Sequence, residues 1–176
     1  MSVRTLCTAG LTAAAITAPA AHSQTTVDAQ ASMQGRDGKE LGTVKLVNTP
    51  HGVLLSLQLH GLPAGVHGVH IHETGRCDAA GGFESAGGHF NPDGREHGFT
   101  RAGGPHAGDM TNQAVGQNGT LIVDIFNSLV TLSSGKHSLL DGDSSAIMIH
   151  SGADDYSSQP SGSAGDRLAC GVIQRP

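Results

Sequence analysis

The sequence predicts an all-β domain, an antiparallel sandwich or barrel, and three observations carry that expectation. Short segments that alternate or run apolar recur between turn signals, as strands of an antiparallel sheet do. No stretch sustains the apolar period of an amphipathic helix. The 26 glycines argue against long helices, because glycine loses more backbone entropy there than any other residue.

Taken in order, the strand segments fall at 25–33, 41–47, 53–59, 66–72, 120–126, 146–150 and 169–173. Asp37-Gly38, Asn118-Gly119 and Ser134-Gly135 mark turns, since glycine accepts the left-handed backbone that tight turns need. Aromatic residues make up only 3% of the chain, so Val, Leu, Ile and Ala must build the core. Two stretches break the pattern. Residues 73–111 are glycine-rich and almost without apolar runs, and 151–167 are similar. Structureless loops this long are uncommon in a compact domain unless they are functional.

The amino terminus reads as a secretory signal peptide over 1–23, with Arg4 first, then Leu, Ala, Thr and Ile, and Ala21-His22-Ser23 before Gln24. A membrane anchor is the alternative, but the apolar stretch falls short of about 20 residues and Pro19 interrupts it. Cys7 lies inside the leader, away from a lipidation position. The mature domain would then be 24–176, an exported domain with no linker or internal repeat.

Loss of the leader leaves Cys77 and Cys170, an even pair in an oxidising compartment. A bridge would close a loop of more than ninety residues, worth about 4–5 kcal/mol on a chain-entropy estimate. Two free thiols are the alternative. Formal charge is −5, and −6 once Arg4 leaves with the leader. With no Trp and no basic run, nucleic-acid binding is disfavoured.

The histidines carry the chemistry. On a strand, residues two apart point to one side, so His70 and His72 can reach one ion while Val69 and Ile71 turn into the core. His89, His97, His106 and Asp109 crowd the first long loop, and His150 ends a later apolar run. Seven candidate ligands exceed what one ion needs. Nitrogen-rich sets suit copper or zinc, and three histidines with a carboxylate suit tetrahedral zinc, so two neighbouring metals are expected.

Five motifs fix a resemblance: 65–73 (Gly-Val-His-Gly-Val-His-Ile-His-Glu), Gly75-Arg76-Cys77, 89–109, 149–155 and 165–173. Together they resemble the copper/zinc superoxide dismutases, particularly their exported bacterial branch. The resemblance implies a Greek-key antiparallel β-barrel of about eight strands with two long functional loops. It implies copper on His70, His72, His89 and His150, and zinc on His89, His97, His106 and Asp109, one of each per subunit. His89 is then a shared imidazolate, and Cys77–Cys170 a disulfide.

The activity implied is dismutation of superoxide to oxygen and hydrogen peroxide, by copper cycling between two oxidation states beside a structural zinc. The protein would protect against superoxide outside the cytoplasm. His89 would release copper and carry a proton during the cycle. Arg167 matches the family's substrate-guiding arginine, and Asp154 the carboxylate that joins a copper histidine to a zinc histidine. Asp155, Asp141 and Asp143 are expected in turns or solvent. Beyond Arg167, Arg76, Arg95 and Lys136 are the candidates for steering the anion.

His22 goes with the leader, His51 and His137 are expected exposed, and His60 partly buried. His67 has the wrong parity for the metal face, and the resemblance implies that it makes structural hydrogen bonds. Superoxide is the expected partner, without membrane insertion, and monomer and homodimer both stay open. Two rivals are weaker. A metal-buffering module fits poorly with a complete ligand set plus Arg167. A zinc hydrolase would keep an open zinc position near a general base.

Overall fold

The computed structural model describes Met1 and residues 26–176. The expected leader, with Cys7 and His22, lies outside the described residues, as does the start of the first expected strand. Among the described residues nine strands form: β1 (Ala29–Gly35), β2 (Glu40–Thr49), β3 (Gly52–Leu59), β4 (Gly65–His67), β5 (Val69–His72), β6 (Gln113–Val115), β7 (Leu121–Asn127), β8 (Ala146–His150) and β9 (Arg167–Val172). Among the described residues no helix is long and apolar enough to cross a membrane.

Seven strands make one antiparallel sheet in the order β5-β8-β9-β1-β2-β3-β7, and β4 pairs with β6. Pairings such as β3 with β7 and β5 with β8 join strands distant in sequence, the mark of a Greek-key path. Alternation positions the core as expected. Val53, Leu55, Leu57 and Leu59 point inward from β3, against Leu121 and Ile125 of β7. They meet Ile71, Ile147, Ile149 and Ile173 from the other end of the sheet.

Two expectations change. The segment at 66–72 is not one strand, because Gly68 breaks it. Gly68 bonds instead to Gly152 O and to the His150 amide, 2.8 and 2.9 Å away. The first half pairs with β6, which lies beside β7, and the second half with β8 at the opposite sheet edge. This corner draws the two edges of the curled sheet together. β6 itself lies where no strand was expected, since Gln113–Val115 is three residues with no apolar run.

The two long loops are present, broken only by a 3-10 turn at Glu84–Ala86 in the first. Cys77 and Cys170 are bonded, which removes the free-thiol alternative and fastens the first loop to β9. Beneath the bond, buried Phe83, Ala86, Ala146, Met148 and Cys170 form a second small apolar cluster.

Candidate metal centre

β5 is buried on both sides. Val69 and Ile71 enter the core, while His70 and His72, at 0% and 1% exposure, face the first loop. Backbone hydrogen bonds dock that loop on the strand. The Phe90 amide donates to Ile71 O, Ile71 to Gly108 O, and Gly108 to Phe90 O, all at 2.8 Å. The same docking sets His89 opposite His72 and Asp109 opposite His70. A Cβ on Gly108 would overlap the Ile71 carbonyl, so only glycine permits this approach. His150 ends β8, where a register shift against β9 places it across from Arg167.

Two groups of donors result, both buried. His70, His72, His89 and His150 bring one ligand atom each within 4.8 Å of one another, and so do His89, His97, His106 and Asp109. His89 belongs to both.

The donors fit cations. In the first group His70 Nδ1, His72 Nε2, His89 Nε2 and His150 Nε2 are buried without any hydrogen-bond partner. Four orphaned polar atoms at one point would be costly unless a cation takes their lone pairs. The opposite nitrogens are tied down. His70 Nε2 donates to Asp154 Oδ2 (2.8 Å), His72 Nδ1 to Gly87 O (2.9 Å), and His150 Nδ1 to Gly165 O (3.4 Å). In the second group three Nδ1 atoms surround Asp109 Oδ1: His89 at 2.9 Å, His97 at 3.0 Å and His106 at 3.5 Å. Asp109 Oδ2 is held by the amides of Gly98 and His106 at 2.9 and 3.0 Å. Three nitrogens and one carboxylate oxygen make a zinc-type donor set.

Burial pushes the pKa of His89 down to about 4, despite its bond to Asp109, and that of His150 down to about 3. Burial likewise holds His72 well below the ordinary range. These rings are therefore neutral near pH 7, the form that binds metal. At His97 burial also works downward, yet the bonds to Asp109 and Asp154 outweigh it and push the pKa up to about 9. Asp109 and Asp154 stay far below the usual carboxylate range, because the histidine bonds outweigh burial.

Asp154 links the groups, with Oδ2 on His70 and Oδ1 3.1 Å from His97 Nε2. Gly162 lies so close over this bridge that a Cβ would overlap Asp154 Oδ1. Two carboxamides that sequence reading missed hold the linkage. Asn112 grips the Asp154 backbone, accepting from its amide and donating to its carbonyl, both at 2.8 Å. Gln159 grips His97 in the same way at 2.9 Å. Each long loop thus clamps a residue of the other.

Arg167 donates Nη1 to Phe83 O (2.7 Å) and Nη2 to Gly87 O (2.8 Å). Gly87 O also accepts from His72, so one carbonyl orients the arginine and a ligand of the first group. Arg167, His72, His89 and His150 line an open cavity of about 580 Å³. His67 faces the carbonyls of His150 and Pro63 at 2.7 and 2.9 Å, the structural bonding that the resemblance implied. His60 is exposed rather than partly buried: it follows β3, and its amide and Nδ1 both bond Leu41 O while the ring stays in solvent. His51 is exposed, and His137 is part-exposed beside Asp93. Asp155 closes a turn through the Ser157 and Ser158 amides, while Asp141 and Asp143 are exposed.

Comparison with known proteins agrees with this centre. The family described as copper/zinc superoxide dismutase (SODC) matches residues 40–173. A superoxide dismutase [Cu-Zn] of Aquifex aeolicus is 45% identical over 148 residues, 83% of this chain and 86% of that protein. One from Caulobacter vibrioides is 41% identical, covering 83% and 85%. Among solved structures, a SOD-like protein from Bacillus subtilis superposes with a TM-score of 0.78 at 38% identity, over 81% of this chain and 96% of that one. The Cu/Zn superoxide dismutase from Brucella abortus gives 0.67 at 28% identity, over 84% and 100%. With these matches spanning the barrel and both donor groups, the chain belongs to the copper/zinc superoxide dismutase family, oxidoreductases that act on superoxide with copper and zinc.

Proposed function

We propose that His70, His72, His89 and His150 hold copper, that His89, His97, His106 and Asp109 hold zinc, and that His89 bridges the two as an imidazolate. The observation that carries this reading is the His89 ring. It alone belongs to both groups, with Nε2 orphaned among the first and Nδ1 aimed at Asp109 in the second. Bound copper supplies alternating one-electron reduction and oxidation, which turns two superoxide ions and two protons into oxygen and hydrogen peroxide.

The chain's own groups complete the site. His89 Nε2, buried without a hydrogen-bond partner, would hold copper and would also be the atom placed to hand a proton to the reduced product. Arg167, a permanent cation fixed by two carbonyls, binds and orients the small anion beside His72 and His150. Asp154 holds a copper ligand and a zinc ligand in one orientation. Removing such an outer partner weakens metal binding by about 10–100-fold. Asp154→Ala is expected to do so at both sites, read by competition with a chelator; unchanged retention of both metals would reject the role.

The test of the whole reading is metal analysis of purified protein beside superoxide removal with and without copper. In the same assay Arg167→Gln is expected to slow superoxide removal by about tenfold or more, while copper and zinc contents stay unchanged. Loss of metal in that variant would instead make Arg167 a scaffold residue.

The finer biological reading is that 1–23 is a cleaved signal peptide and that 24–176 works outside the cytoplasm, in the periplasm, against superoxide arising there. The Cys77–Cys170 bond supports it, since such bonds persist in oxidising compartments. A cytoplasmic fraction holding the uncut chain would reject it. Self-association as a homodimer is supported by exposed Phe99, Phe126 and Leu129 around one crevice beside the edge strand β7. Sedimentation as a monomer at high concentration would rule that out.

A further inference from the structure

The cavity mouth carries an unusual balance of charge. Its lining includes two cations, Arg36 and Arg167, against three carboxylates, Glu73, Glu84 and Asp166. The chain as a whole is negative. An anionic substrate therefore approaches an acidic protein through an acidic rim, and any cation at the rim matters disproportionately. Arg76, Arg95 and Lys136, the steering candidates taken from sequence, do not line the cavity. Arg95 is turned to Gly104 O at 2.7 Å, and Lys136 is paired with Asp93 at 2.7 Å.

Arg36 follows β1 and reaches across the disulfide loop, so close to Gly82 that a Cβ there would meet its Nη2 at 3.3 Å. Its Nη1 stands 3.5 Å from Asp166 Oδ2, and the two side chains are 46% and 74% exposed. A pair this long and this wet is weak and opens readily. Asp166 directly precedes Arg167, so Arg36 neutralises the carboxylate nearest in sequence to the inner arginine. Glu84 Oε2 is a further opposing charge, 3.4 Å from Arg167 Nη2.

Resting on the superoxide chemistry above, we propose that Arg36 is the outer positioning cation of this site: it masks Asp166 and passes small anions inward to Arg167. Its reach comes from the turn after β1, an element outside both long loops. The arginine works through the field at the mouth and does not touch the reacting atoms.

The experiment uses the full metal-loaded protein and compares wild type with Arg36→Gln, Arg36→Lys, Asp166→Asn and, as a charge-matched control, Lys45→Gln on the exposed outer side of β2. Two quantities are read: the second-order rate of superoxide removal at low and high ionic strength, and the affinity for azide from the copper absorption band. Arg36→Gln is expected to lower the low-salt rate about two- to five-fold, flatten its salt dependence, and weaken azide by a similar factor, with metal contents unchanged. Asp166→Asn is expected to move rate and azide affinity the other way, and Arg36→Lys to retain most of both. The inference is overturned if Arg36→Gln matches wild type in rate and azide affinity, or if Lys45→Gln falls equally, since net charge alone would then explain the effect. Failure of loaded wild-type protein to remove superoxide would instead defeat the enzymatic reading, while azide affinity would still decide the role of Arg36.

Discussion

His89→Ala is expected to strip or loosen both metals at once and to abolish superoxide removal. Each donor group drops from four ligands to three, because the same ring supplies Nε2 to one and points Nδ1 into the other. Removing a mere outer partner already costs about 10–100-fold in affinity, so loss of a shared ligand should exceed that range at both sites. Comparison with two neighbours isolates the bridging effect. His150→Ala touches only the first group and His106→Ala only the second. Chelator competition should show copper weakened in the first, zinc in the second, and both in His89→Ala. An unchanged copper absorption spectrum in His89→Ala would remove the bridge from the mechanism.

Why the centre was readable from sequence, while the cation at its mouth was not, follows from what each depends on. Histidine pairs and a loop aspartate announce metal chemistry by residue type, and the structure gathers all seven of those side chains. The strand at 53–59 was equally plain, since its alternation is the burial pattern itself. By contrast, the break at Gly68 depends on which partner each half of the segment finds, β6 or β8, and nothing local states that. Gln113–Val115 carries no apolar signal because its pairing is carried by backbone. Asn112 and Gln159 grip main-chain groups of Asp154 and His97 respectively, a use of carboxamides that leaves no spacing to detect. Arg36 lies 131 residues before Arg167 in the chain and shares its cavity only through the fold.

Replacing both bridge cysteines, as Cys77→Ser with Cys170→Ser, is expected to lower stability by about 4–5 kcal/mol, since the bond closes a loop spanning a separation of 93 residues. Against a typical total of about 5–15 kcal/mol this is a large fraction. The loss should extend to function, because the loop that Cys77 anchors supplies the Phe83 and Gly87 carbonyls holding Arg167, while Cys170 lies on the same strand as Arg167. Buried Phe83 and Cys170 share one cluster, so freeing the loop loosens the floor under both carbonyls. Urea unfolding of the metal-loaded variant measures the first effect. The second is read below the unfolding transition, where superoxide removal should fall more than the fraction folded predicts and azide affinity should drop with it. If the variant were destabilised but kept full activity per folded molecule, the bond would serve stability alone and Arg167 would be positioned by its own packing.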